Sequence, residues 1–229
     1  MTTTRALIFD FDGLVIDTET PIFQSYQELY RSLGLELSFE RWSEGIGTSD
    51  ASYDPIADLE VLVGHRLDCA AFQTKQRQRE AELIAAQPVR PGVWAYLRSA
   101  RRLGLKIGMA SSSSCAWITD HLRRLGLLAY FDCLQGREDV RCSKPDPELY
   151  LNVLDKLQIL PEQAIVFEDS PNGILAARAA GIFTVAVPNP TTRKLPLDGA
   201  NLRVESLAEM PLESLLRKVA EDNASENFD

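Results

Sequence analysis

Between Leu105 and Pro188 the chain alternates short, β-rich apolar runs with longer stretches of helical periodicity, and this alternation restricts the fold more than any other feature. The apolar runs read LKIGMAS near 105–111, YFDCLQG near 130–136, AIVFED near 164–169 and FTVAVP near 183–188, and an earlier one opens the chain as ALIFDFDG. Helical patterns accompany them: VWAYLRSARRLG closing on Gly104, CAWITDHLRRLG on Gly126, PELYLNVLDKLQ, and PNGILAARAAG on Gly181. Strands separated by helices of that length need right-handed crossovers, which build a parallel sheet covered on both faces. The expected fold is α/β, a doubly wound parallel sheet.

One region departs from the alternation. From about Thr20 to Gln87 the patterns IFQSYQELYRSLG and CAAFQTKQRQREAELIAA are helical, with no strand between them, until the prolines of QPVRPG mark a return. This reads as an all-helical domain, residues 19–87, inserted after the first strand into a core made of 1–18 and 88–229. An insert with two linkers can serve as a lid. The terminal AEDNASENFD is acidic and polar and is expected to fray.

Ligands of open parallel sheets bind beyond the carboxyl ends of the strands. The first strand ends in Asp10-Phe11-Asp12-Gly13, the second in Ser111 and the fourth in Glu168-Asp169, while Lys144 follows the third in CSKPDPELY. Strands disfavour Asp, and two carboxylates one residue apart repel, so Asp10 and Asp12 demand a positive partner. Period two puts both on one side of an extended chain with Phe11 opposite, and Gly13 lets the backbone turn away. Carboxylate and carbonyl oxygens are the donors Mg²⁺ prefers. A metal between Asp10, Asp169 and the neighbouring backbone would relieve the repulsion, and a phosphate would complete its coordination. Ser111 would donate a hydrogen bond to that phosphate and Lys144 would offset its charge. Singly, each segment has a commonplace account: a turn at Asp10–Gly13, a helix cap in SSSS, an exposed loop lysine, acids at a helix start. None explains their occurrence in this order at strand ends. An EF-hand is excluded, since counting from Asp10 its required Gly and closing Glu fall on Val15 and Pro21.

A net charge of −9 argues against nucleic acid or an anionic membrane as partner, because a polyanion needs clustered Lys and Arg. No apolar run reaches membrane-spanning length, and MTTTRALIFD carries no signal-peptide character, so a cytoplasmic protein is expected, and a monomer because no apolar surface element is left over. Cys69, Cys115, Cys133 and Cys142 form no C-x-x-C pair and have no His at zinc spacing, so free thiols are expected.

Taken together, FDFDGLVIDTE, MASSSS, CSKPDPELY and FEDSPNGILAARAAG resemble, in order, the motifs of the haloacid dehalogenase superfamily of phosphohydrolases. Within it the chain is similar to β-phosphoglucomutase and its small-molecule phosphatase relatives, which insert a helical cap after the first strand. The resemblance implies that Asp10 attacks phosphorus and becomes a transient aspartyl phosphate, while Asp12 acts as general acid and base. It implies that Ser111, Ser112 and Lys144 hold the phosphoryl group. It further implies that Mg²⁺ is bound by Asp10, the Asp12 carbonyl and Asp169, with Glu168 as a direct or supporting ligand. The mutases of this subgroup place a histidine soon after the DTE-like segment, whereas this chain reads Asp17-Thr18-Glu19-Thr20-Pro21-Ile22. The expectation is therefore a Mg²⁺-dependent phosphatase for a sugar phosphate or related phosphomonoester. A phosphomutase and a non-catalytic sensor of a phosphorylated ligand stand as alternatives. In similar proteins RWSEGIGTSD occupies the place of a substrate loop, which makes Trp42, Thr48 and Asp50 candidates for specificity. Arg77 and Arg79 would meet a second anionic group or simply form a solvated basic face.

Overall fold

A computed structural model describes residues 3–43 and 54–225, which fall into two compact units, Met1–Ile16 with Pro88–Asp229 and Asp17–Gln87. From the N-terminus, β1 (Ala6–Phe9) is followed by α1 (Glu19–Arg31), α2 (Phe39–Ser43), α3 (Pro55–Val63) and α4 (Cys69–Ala85). The chain continues through α5 (Val93–Arg102), β2 (Lys106–Ala110), α6 (Cys115–Arg124), β3 (Cys133–Gln135), α7 (Glu148–Leu157) and β4 (Ala164–Glu168). It closes with α8 (Pro171–Ala179), β5 (Phe183–Ala186), β6 (Leu202–Arg203) and α9 (Leu212–Ser225).

All six strands are parallel, in the order β3-β2-β1-β4-β5-β6. This is the doubly wound sheet expected, with β1 at its centre and the order reversing between β1 and β4. Such a switch point opens a crevice at the carboxyl ends of the strands. Side chains alternate along each strand, so the two faces can be assigned from contacts. Ala6 and Ile8 of β1 and Ala164 and Val166 of β4 pack with Leu149, Val153 and Leu157 of α7 and Ala176 and Ala177 of α8. On the other face Phe9 stacks on Phe167 at 4.9 Å, and Tyr96 of α5 meets Phe167 edge-on at 5.4 Å. The same alternation, carried one step past the apolar residues, assigns Asp10 and Glu168 to the α7 face of the rim.

Two local expectations need correction. The third strand is shorter than its apolar run, because Leu128–Tyr130 closes into a 3-10 turn and leaves Cys133–Gln135 to pair. Of the terminal segment expected to fray, residues 220–225 continue α9, whose upstream residues Leu212, Leu215 and Val219 recur on one face and are all buried, while 226–229 lie outside the described residues.

The second unit is entirely helical among its described residues and has its own core of Leu29, Tyr30, Leu37, Trp42, Ile56 and Leu59. The Tyr30 hydroxyl lies 2.8 Å from both the Pro55 carbonyl and Asp58 Oδ2, which ties α1 to the start of α3. All four cysteines are free thiols, and no helix among the described residues is long and apolar enough to cross a membrane.

Candidate active site

The carboxyl ends of β1 and β4 carry a cluster of buried carboxylates, and a single lysine organises it. Lys144, 8% exposed, donates to Asp10 Oδ1 at 2.5 Å, to Glu168 Oε1 at 2.6 Å and to the Ala110 carbonyl at 2.8 Å. All three protons of its ammonium are thereby used. Tyr150, on the first turn of α7, donates its hydroxyl to Glu168 Oε1 at 2.5 Å. The other Glu168 oxygen accepts from the Asp169 and Ser170 backbone N–H groups at 3.1 and 3.3 Å and from the Ser170 hydroxyl at 3.1 Å. Glu168 is therefore a saturated acceptor, with no exposed surface. Gly173 belongs to this arrangement, since a Cβ there would lie 1.9 Å from the Glu168 carboxyl.

Asp169 is oriented from the opposite side. Its Oδ2 accepts from Asn189 Nδ2 at 2.6 Å and from the Thr192 hydroxyl at 3.4 Å. The Asn189 amide cannot turn round, because its Oδ1 accepts the Thr191 and Thr192 backbone N–H groups, both at 2.8 Å. Gly13 makes the turn after Asp12 with φ 78°, and a Cβ there would lie 2.2 Å from Asp169 Oδ2. Conformation and space both require glycine at this position. Arg90 fastens this turn to the end of β5, donating to the carbonyls of Gly13, Val187 (3.3 Å) and Pro188 (2.6 Å).

Burial raises the Asp10 carboxyl to about 8, with the charges of Glu168 and Asp12 adding to the rise and Lys144 opposing it. Burial works against the charge on Lys144, but Asp10 and Glu168 outweigh it and hold the ammonium above the ordinary lysine range. Burial, followed by the Glu168 charge, keeps the Tyr150 hydroxyl protonated far above its usual value.

Asp10, Glu168 and Asp169 each offer an oxygen within 4.8 Å of the others, a buried set of hard donors suited to Mg²⁺. With Glu168 saturated by its donors, Asp10 and Asp169 are the better placed to face a cation. The carboxylate of Asp12 stands outside this group. Its Oδ2 accepts from the Ser111 and Ser113 hydroxyls at 3.2 and 2.6 Å, and its Oδ1 accepts from the Trp117 indole at 3.2 Å. The two aspartates at the end of β1 thus have different partners, an ammonium for Asp10 and neutral donors for Asp12.

Ser111 is buried and accepts the Ser113 backbone N–H at 3.0 Å, whereas Ser112 is exposed and its hydroxyl accepts from that of Ser143 at 2.8 Å. In the helical unit, Trp42 is built into the core, its ring 5.3 Å from that of Tyr26 and 5.9 Å from that of Phe23. Arg79 is engaged by Glu28 at 2.7 Å and Glu82 at 3.2 Å, and Arg77 is exposed on the same helix. Thr48 and Asp50 lie outside the described residues.

Asn189 and Thr192 are absent from the strand-end residues read from the sequence, although PNPTT begins two residues beyond the end of β5 and so lies at the same rim. Tyr150, Ser113 and Trp117 carry no such signal, because their roles arise from contacts between elements.

Comparison with known proteins adds a family and several relatives. A family model described as haloacid dehalogenase-like hydrolase matches residues 7–187. YhcW of Bacillus subtilis is 42% identical over 219 residues, covering 96% of this chain and 99% of that protein. The phosphorylated carbohydrates phosphatase of Thermotoga maritima is 32% identical over 180 residues, covering 78% of this chain and 82% of that protein. Among solved structures, a variant of CbbY from Rhodobacter sphaeroides in complex with xylulose-(1,5)bisphosphate matches with a TM-score of 0.70 at 27% identity, covering 90% of this chain and 96% of that one.

Proposed function

The chain belongs to the haloacid dehalogenase-like hydrolases, and from that premise we propose a Mg²⁺-dependent phosphatase that hydrolyses a phosphorylated carbohydrate or a related phosphomonoester through an aspartyl phosphate. The observation that carries this reading is the Asp10–Lys144–Glu168 chain, which fixes a buried carboxylate at a strand end beside a cation that itself cannot leave. The names of the Thermotoga relative and of the CbbY complex support a sugar-type substrate.

In the reaction an Asp10 oxygen attacks phosphorus. The bond from phosphorus to the ester oxygen breaks with its electron pair, and that oxygen takes the proton carried by Asp12, leaving the alcohol and an aspartyl phosphate. Asp12, now a carboxylate, accepts a proton from water as the water attacks phosphorus, and the Asp10 carboxylate departs with its electron pair. Inorganic phosphate is released and Asp12 is again protonated. Lys144 holds Asp10 in line and offsets the charge on the phosphoryl group, while the Ser111 and Ser112 segment supplies hydrogen bonds to its oxygens. The chemistry that Mg²⁺, held by Asp10, Asp169 and the Asp12 carbonyl, supplies when bound is stabilisation of the phosphoryl charge.

Phosphate release from a panel of phosphorylated metabolites, with Mg²⁺ and with chelator, tests the proposal. Wild-type release that needs the metal and is lost in Asp10→Asn is the expected result. Full activity in Asp10→Asn overturns the nucleophile, and coupled isomerisation without net release identifies a phosphomutase instead.

A further inference from the structure

Asp12 is held by three donors from one short segment, and they differ in kind. The hydroxyls of Ser111 and Ser113 can rotate and either donate or accept, so they tolerate a proton on the oxygen they share. An indole N–H only donates, so Trp117 keeps Oδ1 an acceptor whatever the state of the carboxyl. A proton on Asp12 is thereby confined to Oδ2, where Ser113 at 2.6 Å can turn to receive it. The indole is braced rather than loose. His121, one turn further along α6, meets it edge-on at 4.2 Å, and the same imidazole lies 6.0 Å from the ring of Phe11, the residue between the two aspartates. Contacts therefore run from Phe11 to His121, to Trp117 and back to Asp12.

We propose that Trp117 is a positioning residue for proton transfer by Asp12: its N–H fixes one carboxylate oxygen as acceptor and so presents the other to the leaving oxygen. This inference rests on the reading of Asp12 as general acid, and leaving groups separate the two. An alkyl phosphate needs its departing oxygen protonated, whereas an aryl phosphate such as 4-nitrophenyl phosphate departs as a stable anion. The parameter kcat/KM reports the steps through departure.

Trp117→Phe keeps a ring against His121 and removes only the donor. It is expected to lower kcat/KM for an alkyl phosphate about tenfold, a part of the rate factor that a general acid supplies, and for 4-nitrophenyl phosphate by less than about twofold. An equal fall on both substrates, as a merely structural role would give, or no fall on either, overturns the inference. Asp12→Asn is measured beside it. If that variant also fails to discriminate between leaving groups, the reading of Asp12 itself fails; if it discriminates and Trp117→Phe does not, only the inference falls. A second measurement needs no substitution at Trp117. Of the indole N–H signals of the three tryptophans in the NMR spectrum, one is expected to move upfield in Asp12→Ala, and unchanged signals would overturn the contact.

Discussion

Burial pushes the Asp10 carboxyl up to about 8, which would make it a proton-linked ligand for the proposed Mg²⁺. Because its value is raised from the ordinary 3.8, the folded chain holds this proton more tightly than the unfolded chain does. Without metal, the associated stability is complete below about pH 4 and is lost as the pH rises through 8. Binding of Mg²⁺ requires the ionised form, so apparent affinity is expected to rise with pH up to about 8 and then level off, with release of a proton below that point. Calorimetric titration in two buffers of different ionisation enthalpy measures the released proton, and identical enthalpies in both would contradict the linkage. At this scale Asp10, Asp12, Ser111, Lys144, Glu168 and Asp169 are legible from the chain, because each ends or follows an apolar run and the rim of a parallel sheet is known before its residues are. Asn189, Tyr150 and Trp117 are not, because a single amide, phenol or indole acquires meaning only from the carboxylate it meets, and spacing along the chain does not encode that meeting.

At the scale of elements, the strands and most helices of the sheet unit follow from periodicity, and α9 shows where this fails. The composition of AEDNASENFD is that of a disordered tail, yet helix persists to Ser225 because anchors upstream decide the matter. Leu215 is fully buried, and the Tyr96 hydroxyl of α5 donates to the Met210 carbonyl at 2.9 Å just ahead of the helix. Leu215→Ala is expected to destabilise the sheet unit by about 2–5 kcal/mol through lost burial and the cavity left behind. Urea unfolding followed by circular dichroism measures this, and a shift below about 0.5 kcal/mol would mean that α9 is not integral to the unit.

For the molecule as a whole, a protein of net charge −9 gathers three carboxylates at one buried point. A cation bound there only in the folded state adds stability by mass action, about 2.7 kcal/mol when its concentration is a hundred times its Kd. A thermal scan is expected to show a rise of several degrees on addition of Mg²⁺, absent in Asp169→Asn; an equal rise in that variant would place the cation elsewhere. The position of β1 at the centre of the sheet also bears on how the chain is made. Its partners begin at Lys106 and Ala164, so a ribosome that has just completed β1 must add nearly a hundred residues before the first of them exists. At about 5–20 residues per second, that is a wait of roughly 5–20 seconds. Everything the helical unit packs together lies between residues 17 and 87 and is complete within that interval. A nascent chain that has reached about residue 100 therefore contains every residue of the helical unit but neither partner of β1, so this apolar strand is a segment in need of shelter during synthesis.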